Sequence, residues 1–249
     1  MTDSPAALVT GAAGGIGGAI ARRLAADGFG VLAVDRAPVE AGDAAIVGFA
    51  ADLTTREGNR DAVAAALERF GRLDVVVANA GAQHVAPVAE FPEDRWDMLV
   101  SLMLTSPFLL AKYAWPALRA SPRARFVAIA SAHALAASPY KSAYVAAKHG
   151  VLGLVRTLAL EGAEDEILAT AVCPGFVRTP LVEGQLADQA KAHGVDKATV
   201  LADVILAPHA VKRLIEPEEV AEVVAFLTGP GGRAFTGAPV TMDLGWTAR

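Results

Sequence analysis

The sequence lacks several features that would define other classes of protein. A single cysteine, Cys173, stands among its 249 residues, so an intrachain disulfide is excluded and a reducing compartment is favoured. The formal net charge is −5, without the basic excess that binds DNA, RNA or anionic membranes. We therefore expect no nucleic-acid partner and no membrane partner, although local basic clusters could still bind a small anion.

No segment has the pattern of a targeting or membrane-spanning sequence. Residues 1–5 are short and polar, unlike a signal peptide. No uninterrupted apolar run reaches about 18 residues, the length that spans a bilayer. Linkers, repeats and clusters with catalytic metal-ligand spacing are also missing. We expect a cytoplasmic protein that forms one domain over residues 1–249 and needs no metal.

The sequence does contain a regular alternation of short apolar runs and longer helical segments. Strands are predicted at residues 7–10, 30–34, 46–50, 73–78, 126–130, 168–173 and 239–243. Helices are predicted at 16–27, 56–70, 142–160 and 218–227, with one or two more between 96 and about 118. Continuous apolar runs such as VVVA are typical of parallel strands buried on both faces. The pattern predicts a doubly wound α/β domain with a mostly parallel sheet of about seven strands.

One long segment, residues 176–217, breaks this rhythm. It is rich in polar residues and follows Pro174 and Gly175 directly. A long insertion at that place is more typical of a lid over a site than of a second domain. We expect a helical substrate lid there.

A glycine-rich turn, TGAAGGIG at residues 10–17, joins the first predicted strand to the first helix. Glycines let the backbone approach a phosphate closely, and the helix N-terminus supplies unpaired N–H groups. The turn could simply link the two elements. Its place between a strand and a helix favours the dinucleotide-binding turn of a Rossmann domain.

Acidic and amide residues follow the next strands. Asp35 lies 18 residues beyond Gly17, near the offset at which a carboxylate binds the adenosine ribose. A carboxylate there repels a 2′-phosphate and favours NAD over NADP, whereas Arg36 could bind that phosphate. Asp52 could cap an adenine pocket. Asn79, in Asn79-Ala80-Gly81, could border the cofactor or hydrogen-bond between strands.

A tyrosine and a lysine form the candidate reactive pair. Tyr144 and Lys148 are four residues apart on a predicted helix and share a face. A nearby ammonium lowers the pKa of tyrosine from about 10, so the phenolate could accept an alcohol proton while hydride leaves carbon. Ser131 ends the fifth predicted strand and could bind the same oxygen. The alternative is an interfacial aromatic with a snorkelling lysine, near an ordinary turn serine.

TGAAGGIG, Asp35, Asp52, NAG, Ser131, YVAAK and PGFVRT together resemble the short-chain dehydrogenase/reductase family over nearly the full length. The resemblance implies a homotetramer and hydride transfer with NAD. Ser131 would orient the substrate oxygen, Tyr144 would be the acid/base, and Lys148 would hold the nicotinamide ribose. The implied cofactor-binding residues are Thr10, Gly11, Gly15, Ile16, Gly17, Asp35, Asp52, Leu53, Asn79, Gly81, Tyr144, Lys148, Pro174, Gly175, Val177 and Thr179.

One position departs from the family pattern. The family usually has an asparagine in the helix before the fifth strand, where it completes a proton relay, and here Met103 occupies that position. A thioether cannot replace an amide as a hydrogen-bonding bridge. Either a backbone carbonyl and water serve the relay, with help from Ser101 or Thr105, or activity is reduced.

Polar residues around the expected pocket favour a small carboxylate as substrate. A cation with amide and imidazole donors suits that group, although each residue alone has a bland interpretation. NAGAQHVAPV, ASAHALAASPYKSAYVAAKHGVLGL, CPGFVRTPLVEGQ and DLGWTAR resemble the D-3-hydroxybutyrate dehydrogenases within the family. The resemblance implies interconversion of (R)-3-hydroxybutyrate and acetoacetate. The implied substrate residues are Gln83, Ser131, His133, Lys141, Tyr144, Gln185 and Trp246, with His84 nearby.

Two departures and two alternatives remain open. Phe176 stands where that group often has tryptophan, and DLGW replaces DGGW, which affects the chain length that the pocket accepts. The enzyme could instead reduce a 3-oxoacyl thioester or another carbonyl compound, with Arg36 serving NADP. Met103 raises a third possibility, a dinucleotide-binding regulator with little catalysis.

Overall fold

A seven-stranded, wholly parallel sheet forms the centre of the computed structural model, which describes residues 4–40 and 42–248, apart from the side chains of residues 187–189 and 191–193. The strands are β1 (Ala6–Thr10), β2 (Gly30–Asp35), β3 (Ile46–Ala50), β4 (Val75–Ala78), β5 (Arg125–Ile129), β6 (Leu168–Pro174) and β7 (Pro239–Met242). Their order is β3-β2-β1-β4-β5-β6-β7. The predicted fold class is confirmed.

Eight α-helices connect or cover the strands within the described residues. They are α1 (Gly15–Ala26), α2 (Arg56–Phe70), α3 (Glu93–Val100), α4 (Ser106–Arg119), α5 (Ser142–Glu161), α6 (Pro180–His193), α7 (Lys197–Val200) and α8 (Pro217–Thr228). Local sequence explains several ends. The Thr55 hydroxyl accepts a hydrogen bond from Gly58 N at the start of α2, and Gly71 ends that helix at φ 72°.

The sheet is covered on both faces, which explains the continuous apolar runs. Leu8, Val76 and Phe126 belong to one core cluster, whereas Val9, Val77 and Val127 belong to another. Successive side chains of a strand point to opposite faces, so each apolar strand supplies both clusters. All six of these side chains are at most 1% exposed.

Three predicted strands differ at their first residues, and β1 begins at Ala6 rather than at residue 7. β4 begins at Val75 rather than at residue 73, and β5 begins at Arg125 rather than at residue 126. Just before β4 begins, the Asp74 carboxylate accepts hydrogen bonds from Ala6 N (2.8 Å) and from the Arg72 guanidinium (2.7 and 2.8 Å). Pairing of Val75 with Arg125 then extends β5 by one polar residue.

The segment from α3 to α4 is a single long helical stretch. Glu93–Arg119 covers 27 residues and is apolar enough to cross a membrane by length and composition alone. Core helices of soluble proteins can be as long and as apolar, and here Leu110, Ala114 and Leu118 pack into the sheet core. A π-helical segment, Ser101–Thr105, interrupts the stretch.

The predicted lid region is mainly helical. Residues 176–217 contain α6, α7, a second π-helical segment (Leu201–Ile205) and a bridge between Val177 and Ile215. Val182, Leu186 and Leu206 belong to a small apolar cluster of its own. This cluster packs the region together at the carboxyl end of β6.

Candidate active site

The glycine-rich turn requires glycine at two positions because the backbone there is crowded. Gly11 has a φ of +66°, a backbone conformation that residues with a side chain rarely adopt. A Cβ at Gly17 would lie 2.2 Å from the Gly11 carbonyl oxygen and 2.5 Å from Asn79 Nδ2. Gly17 therefore lets the start of α1 pack directly against the turn.

Thr10 and Asn79 join β1 to β4 beneath this turn. Asn79 Nδ2 donates to Thr10 O (2.8 Å), and the Thr10 hydroxyl accepts from Asn79 N (2.9 Å) and Ala80 N (3.0 Å). Asn79 thus has the structural role considered as an alternative, and it also lines the neighbouring cleft.

Two carboxylates border the cleft on the other side. The Asp35 carboxylate accepts from Ala13 N (3.0 Å) and Ala37 N (3.1 Å), which fixes it beside the turn. Asp52 accepts from Thr54 N (2.9 Å) and Thr54 Oγ1 (2.7 Å), and these hydrogen bonds hold its pKa below the ordinary value. Both residues line the same cavity.

The cofactor-binding residues implied by the resemblance meet at two adjoining cavities. One cavity of about 430 Å³ extends from the turn to Tyr144, and the other, of about 490 Å³, lies between Asp35 and Asp52. Fourteen of the sixteen predicted residues line one or both. Thr10 and Gly17 line neither; they lie behind the turn and shape it. The two adjoining cavities, the glycine-rich turn and the positions of Asp35 and Asp52 fit a nicotinamide dinucleotide.

Tyr144 lies between the two cavities that share Ser131. Burial raises the pKa of Tyr144 above its ordinary value, and a hydrogen bond with Ser131 only partly opposes this. The expected lowering of this pKa by Lys148 is therefore not found: the lysine Nζ lies 5.5 Å from the centre of the tyrosine ring. Desolvation of the phenol is the largest effect on this pKa.

Lys148 is held in place by the end of β5. Its Nζ donates to the Ile129 carbonyl (2.7 Å), and burial lowers the pKa of Lys148 to about 8. The carbonyl holds the ammonium at the cavity of about 430 Å³, which Lys148 lines together with Tyr144. The three predicted catalytic residues are thus brought together.

Met103 fills apolar volume behind the tyrosine. It is 1% exposed and packs with Ala143, Ala147 and Tyr144. It belongs to the π-helical segment Ser101–Thr105, and π-segments interrupt helices most often at functional sites. The backbone irregularity is present although the amide side chain is not.

A smaller cavity of about 60 Å³ adjoins Tyr144, and all seven predicted substrate residues line it. Its other lining residues are Ala132, Gly175, Phe176, Leu181 and Val182. His84 lies outside it and packs edge-on against Phe91, with ring centres 5.3 Å apart. The structure therefore brings together the set that the sequence separates by up to 163 positions, from Gln83 to Trp246.

Lys141 is the unusual charge of this pocket. It is only 8% exposed, and within the described part of the chain no carboxylate forms an ion pair with it. Its Nζ lies 5.1 Å from the centre of the Phe176 ring. Burial lowers the pKa of Lys141 to about 8, so the cation persists at neutral pH at an energetic cost.

His133 is a neutral imidazole at neutral pH. Burial, with help from Lys141, lowers its pKa to about 4. Its Nε2 lies 3.0 Å from Ser138 Oγ and its Nδ1 3.4 Å from Ser131 Oγ. Trp246 covers the ring at 5.0 Å between centres.

Two amides join the pocket to the lid. Gln185 Nε2, from α6, donates to Gln83 Oε1 at 3.0 Å. Gln83 Nε2 and Gln185 Oε1 are buried, and neither has a hydrogen-bond partner among the described residues. A buried amide donor without a partner costs free energy until an acceptor reaches it.

Some pocket residues escaped the sequence analysis. Leu181 and Val182 line both the cofactor cleft and the substrate cavity, and Ser138 fixes His133. The Thr179-Pro180 pair, a helix cap followed by proline, signals the start of α6 and with it the two apolar residues. Nothing in the sequence marks Ser138.

A dinucleotide cleft that opens onto Ser131, Tyr144 and Lys148 defines an oxidoreductase that uses a nicotinamide dinucleotide. Comparison with known families agrees: the model described as "short chain dehydrogenase" matches residues 5–190. The chain belongs to the short-chain dehydrogenase/reductase family.

Known relatives are similar over the whole chain. D-beta-hydroxybutyrate dehydrogenase of Rhizobium meliloti (strain 1021) is 40% identical, covering 98% of both chains. The enzyme of that name from Cupriavidus necator is 37% identical, covering 100% of both. The ligand-free structure of Thermoplasma acidophilum aldohexose dehydrogenase has a TM-score of 0.90 at 28% identity, covering 99% of this chain and 95% of the other.

Proposed function

We propose that this oxidoreductase interconverts (R)-3-hydroxybutyrate and acetoacetate with NAD. The observation that carries the proposal is Lys141, a buried cation that pairs with no carboxylate among the residues whose side chains the structure describes. It shares a cavity of about 60 Å³ with Tyr144 and with the unpaired donor of Gln83. A small carboxylate would neutralise the cation and accept from the amide. The two relatives named D-beta-hydroxybutyrate dehydrogenase support this substrate.

The cavity also favours a short substrate whose hydroxyl carbon lies near its carboxylate. Lys141 and Tyr144 line the same small space, and the Gln83–Gln185 contact joins its wall to the lid. A 3-oxoacyl thioester, the alternative substrate, has a long uncharged arm and leaves Lys141 unpaired. We therefore rank the free acid first.

The reaction follows from the placement of three side chains. The bound cofactor supplies the hydride acceptor for oxidation and the hydride donor for reduction. In the oxidative direction Ser131 Oγ donates to the substrate oxygen, and the Tyr144 phenolate takes the hydroxyl proton. Because burial raises the pKa of Tyr144, the phenolate needs positive charge nearby, and Lys148, fixed by Ile129 O, supplies it.

NAD is proposed over NADP because of Asp35. Its carboxylate is fixed by two backbone N–H groups at the edge of the cleft, where it would accept from ribose hydroxyls and repel a 2′-phosphate. Arg36 lines the same cavity and is the residue that would serve NADP.

A direct assay tests the proposal. Purified protein is given (R)- or (S)-3-hydroxybutyrate with NAD or NADP, and reduced cofactor is followed by absorbance. We expect turnover with the (R) acid and NAD, and little with the (S) acid. A higher kcat/KM for an acetoacetyl thioester with NADPH than for acetoacetate with NADH would select the alternative. Equal turnover of uncharged secondary alcohols would contradict both the substrate and the role of Lys141.

We also propose a cytoplasmic homotetramer. Large apolar side chains are exposed on three outer helices: Phe108 on α4, Leu160 on α5 and Phe226 on α8 are 46%, 81% and 50% exposed. Such faces are typical of subunit contacts. Light scattering after size-exclusion chromatography measures the assembly, and a monomeric mass would contradict it.

A further inference from the structure

A separate cavity of about 260 Å³ lies at the amino-terminal end of β5, away from the reaction. Its lining residues are Pro122, Arg123, Arg125, Thr228, Gly229, Pro230 and Arg233, and we call it the arginine cavity. It shares no lining residue with the cavities around Tyr144. Arg125 begins β5 and Ser131 follows its other end, so about 20 Å separates the two sites.

Arg125 is a buried guanidinium that is only partly used by the protein. It is 6% exposed. Its Nε donates to Leu227 O (3.2 Å) at the end of α8, and Nη1 donates to Ala124 O (2.9 Å). Over the described ranges, Nη2 has no hydrogen-bond partner and no acidic residue pairs with Arg125. Two backbone carbonyls, one at the end of α8 and one just before β5, therefore bind two of its nitrogen atoms and not the third.

The charges around this guanidinium are mostly of the same sign. Burial lowers the pKa of Arg125, Arg233 and Arg123 lower it further, and Glu166 acts in the opposite direction. Glu166 already pairs with Arg233 at 3.1 Å. The nearby buried carboxylate, Asp74, is held by Arg72 and Ser121 instead. Two positive charges of the cavity thus remain uncompensated.

We propose that the arginine cavity binds a dianionic phosphate group, either free or carried by a small metabolite. Guanidinium groups donate paired N–H bonds to phosphate oxygens, and two uncompensated cations match two negative charges. A single carboxylate would leave one of them unbalanced. The site is independent of the substrate assigned to the active site.

Calorimetric titration with inorganic phosphate tests this proposal. The protein is saturated with NAD, so that the dinucleotide cleft is occupied, and ionic strength is matched with NaCl. We expect saturable binding of one phosphate per chain. Exposed Arg123 is replaced in Arg123→Ala, which should raise Kd about tenfold or more, the loss expected for a charge-assisted hydrogen bond. Arg123→Glu should abolish binding.

A matched control and a second readout keep the outcome clear. Arg60→Ala removes an exposed arginine on α2 and should leave Kd unchanged. Phosphate at ten times Kd should raise Tm by about 3–5 °C in wild type and in Arg60→Ala, but not in Arg123→Glu. Absence of saturable binding would overturn the proposal. So would binding that all three variants retain equally, or binding that NAD abolishes.

Discussion

Replacing Lys141 by methionine should lower catalytic efficiency and raise stability in the same molecule. The first effect follows from losing the cation that would bind the substrate carboxylate. A hydrogen bond to a charged group contributes about 1.5–3 kcal/mol, so kcat/KM for (R)-3-hydroxybutyrate should fall about 10- to 150-fold. Turnover of an uncharged secondary alcohol should change little.

The stability effect follows from the pKa of Lys141, lowered by burial from 10.5 to about 8. A lowered lysine pKa means that the folded state disfavours the cation. This penalty, about 3 kcal/mol, is fully present below pH 8 and disappears as pH rises towards 10.5. The contact of the ammonium with the Phe176 ring offsets about 1 kcal/mol of this penalty. Methionine, similar in length, should therefore stabilise the free protein by about 2 kcal/mol at pH 7.

Thermal unfolding and steady-state kinetics measure the two effects on one preparation. The gain corresponds to about 4–8 °C in Tm for a chain of this size, and it should shrink above pH 8. Lys112→Met, on the exposed face of α4, is the matched control and should change neither quantity. A Lys141→Met variant with lowered Tm and unchanged kcat/KM would refute the assignment of an unpaired, substrate-binding cation.

Three further changes test the rest of the site. Tyr144→Phe should lower kcat by about 10²–10⁴ while the Kd for NAD, from calorimetry, is kept; a kcat within threefold of wild type would exclude tyrosine as the acid/base. Asp35→Ala should lower kcat/KM with NAD about tenfold and raise the NADP/NAD ratio, and an unchanged ratio would contradict its role. Gly17→Ala places Cβ 2.2 Å from a carbonyl oxygen and should abolish dinucleotide binding or folding, whereas Gly14→Ala, with open space around Cβ, should preserve the Tm.

The fold was predictable because the central strands β1, β2, β4, β5 and β6 are apolar runs buried on both faces, and helical segments separate most of the strands. The errors of the prediction lie at strand ends, because pairing between residues distant in sequence decides where a strand begins. Arg125 joins β5 because it pairs with Val75, 50 positions earlier, and no local propensity signals this. One or two helices were predicted between residues 96 and 118, but nothing in the local sequence indicated the π-helical segment Ser101–Thr105.

The composition of the site was predictable, but its energetics were not. Motif spacing identified Ser131, Tyr144 and Lys148, and the structure places them together. The direction of the Tyr144 pKa shift was wrong in the sequence analysis because it depends on how much protein surrounds the phenol. Thr10 and Gly17 belong to the cofactor motif, yet they act behind the turn, which only the three-dimensional packing reveals.

The contact between Gln83 and Gln185 links the position of α6 to the hydrogen-bonding groups that a bound ligand offers. With α6 lifted, both amides lie in water and neither has a fixed direction. With α6 in the position observed, Gln185 Nε2 donates to Gln83 Oε1 and so orients the Gln83 amide. Gln83 Nε2 is then buried without a partner among the described residues. A ligand that offers an acceptor to Gln83 Nε2 would remove that deficit, whereas a ligand without an acceptor would leave the donor buried and unpaired. The pocket would therefore favour ligands that carry an acceptor at this place.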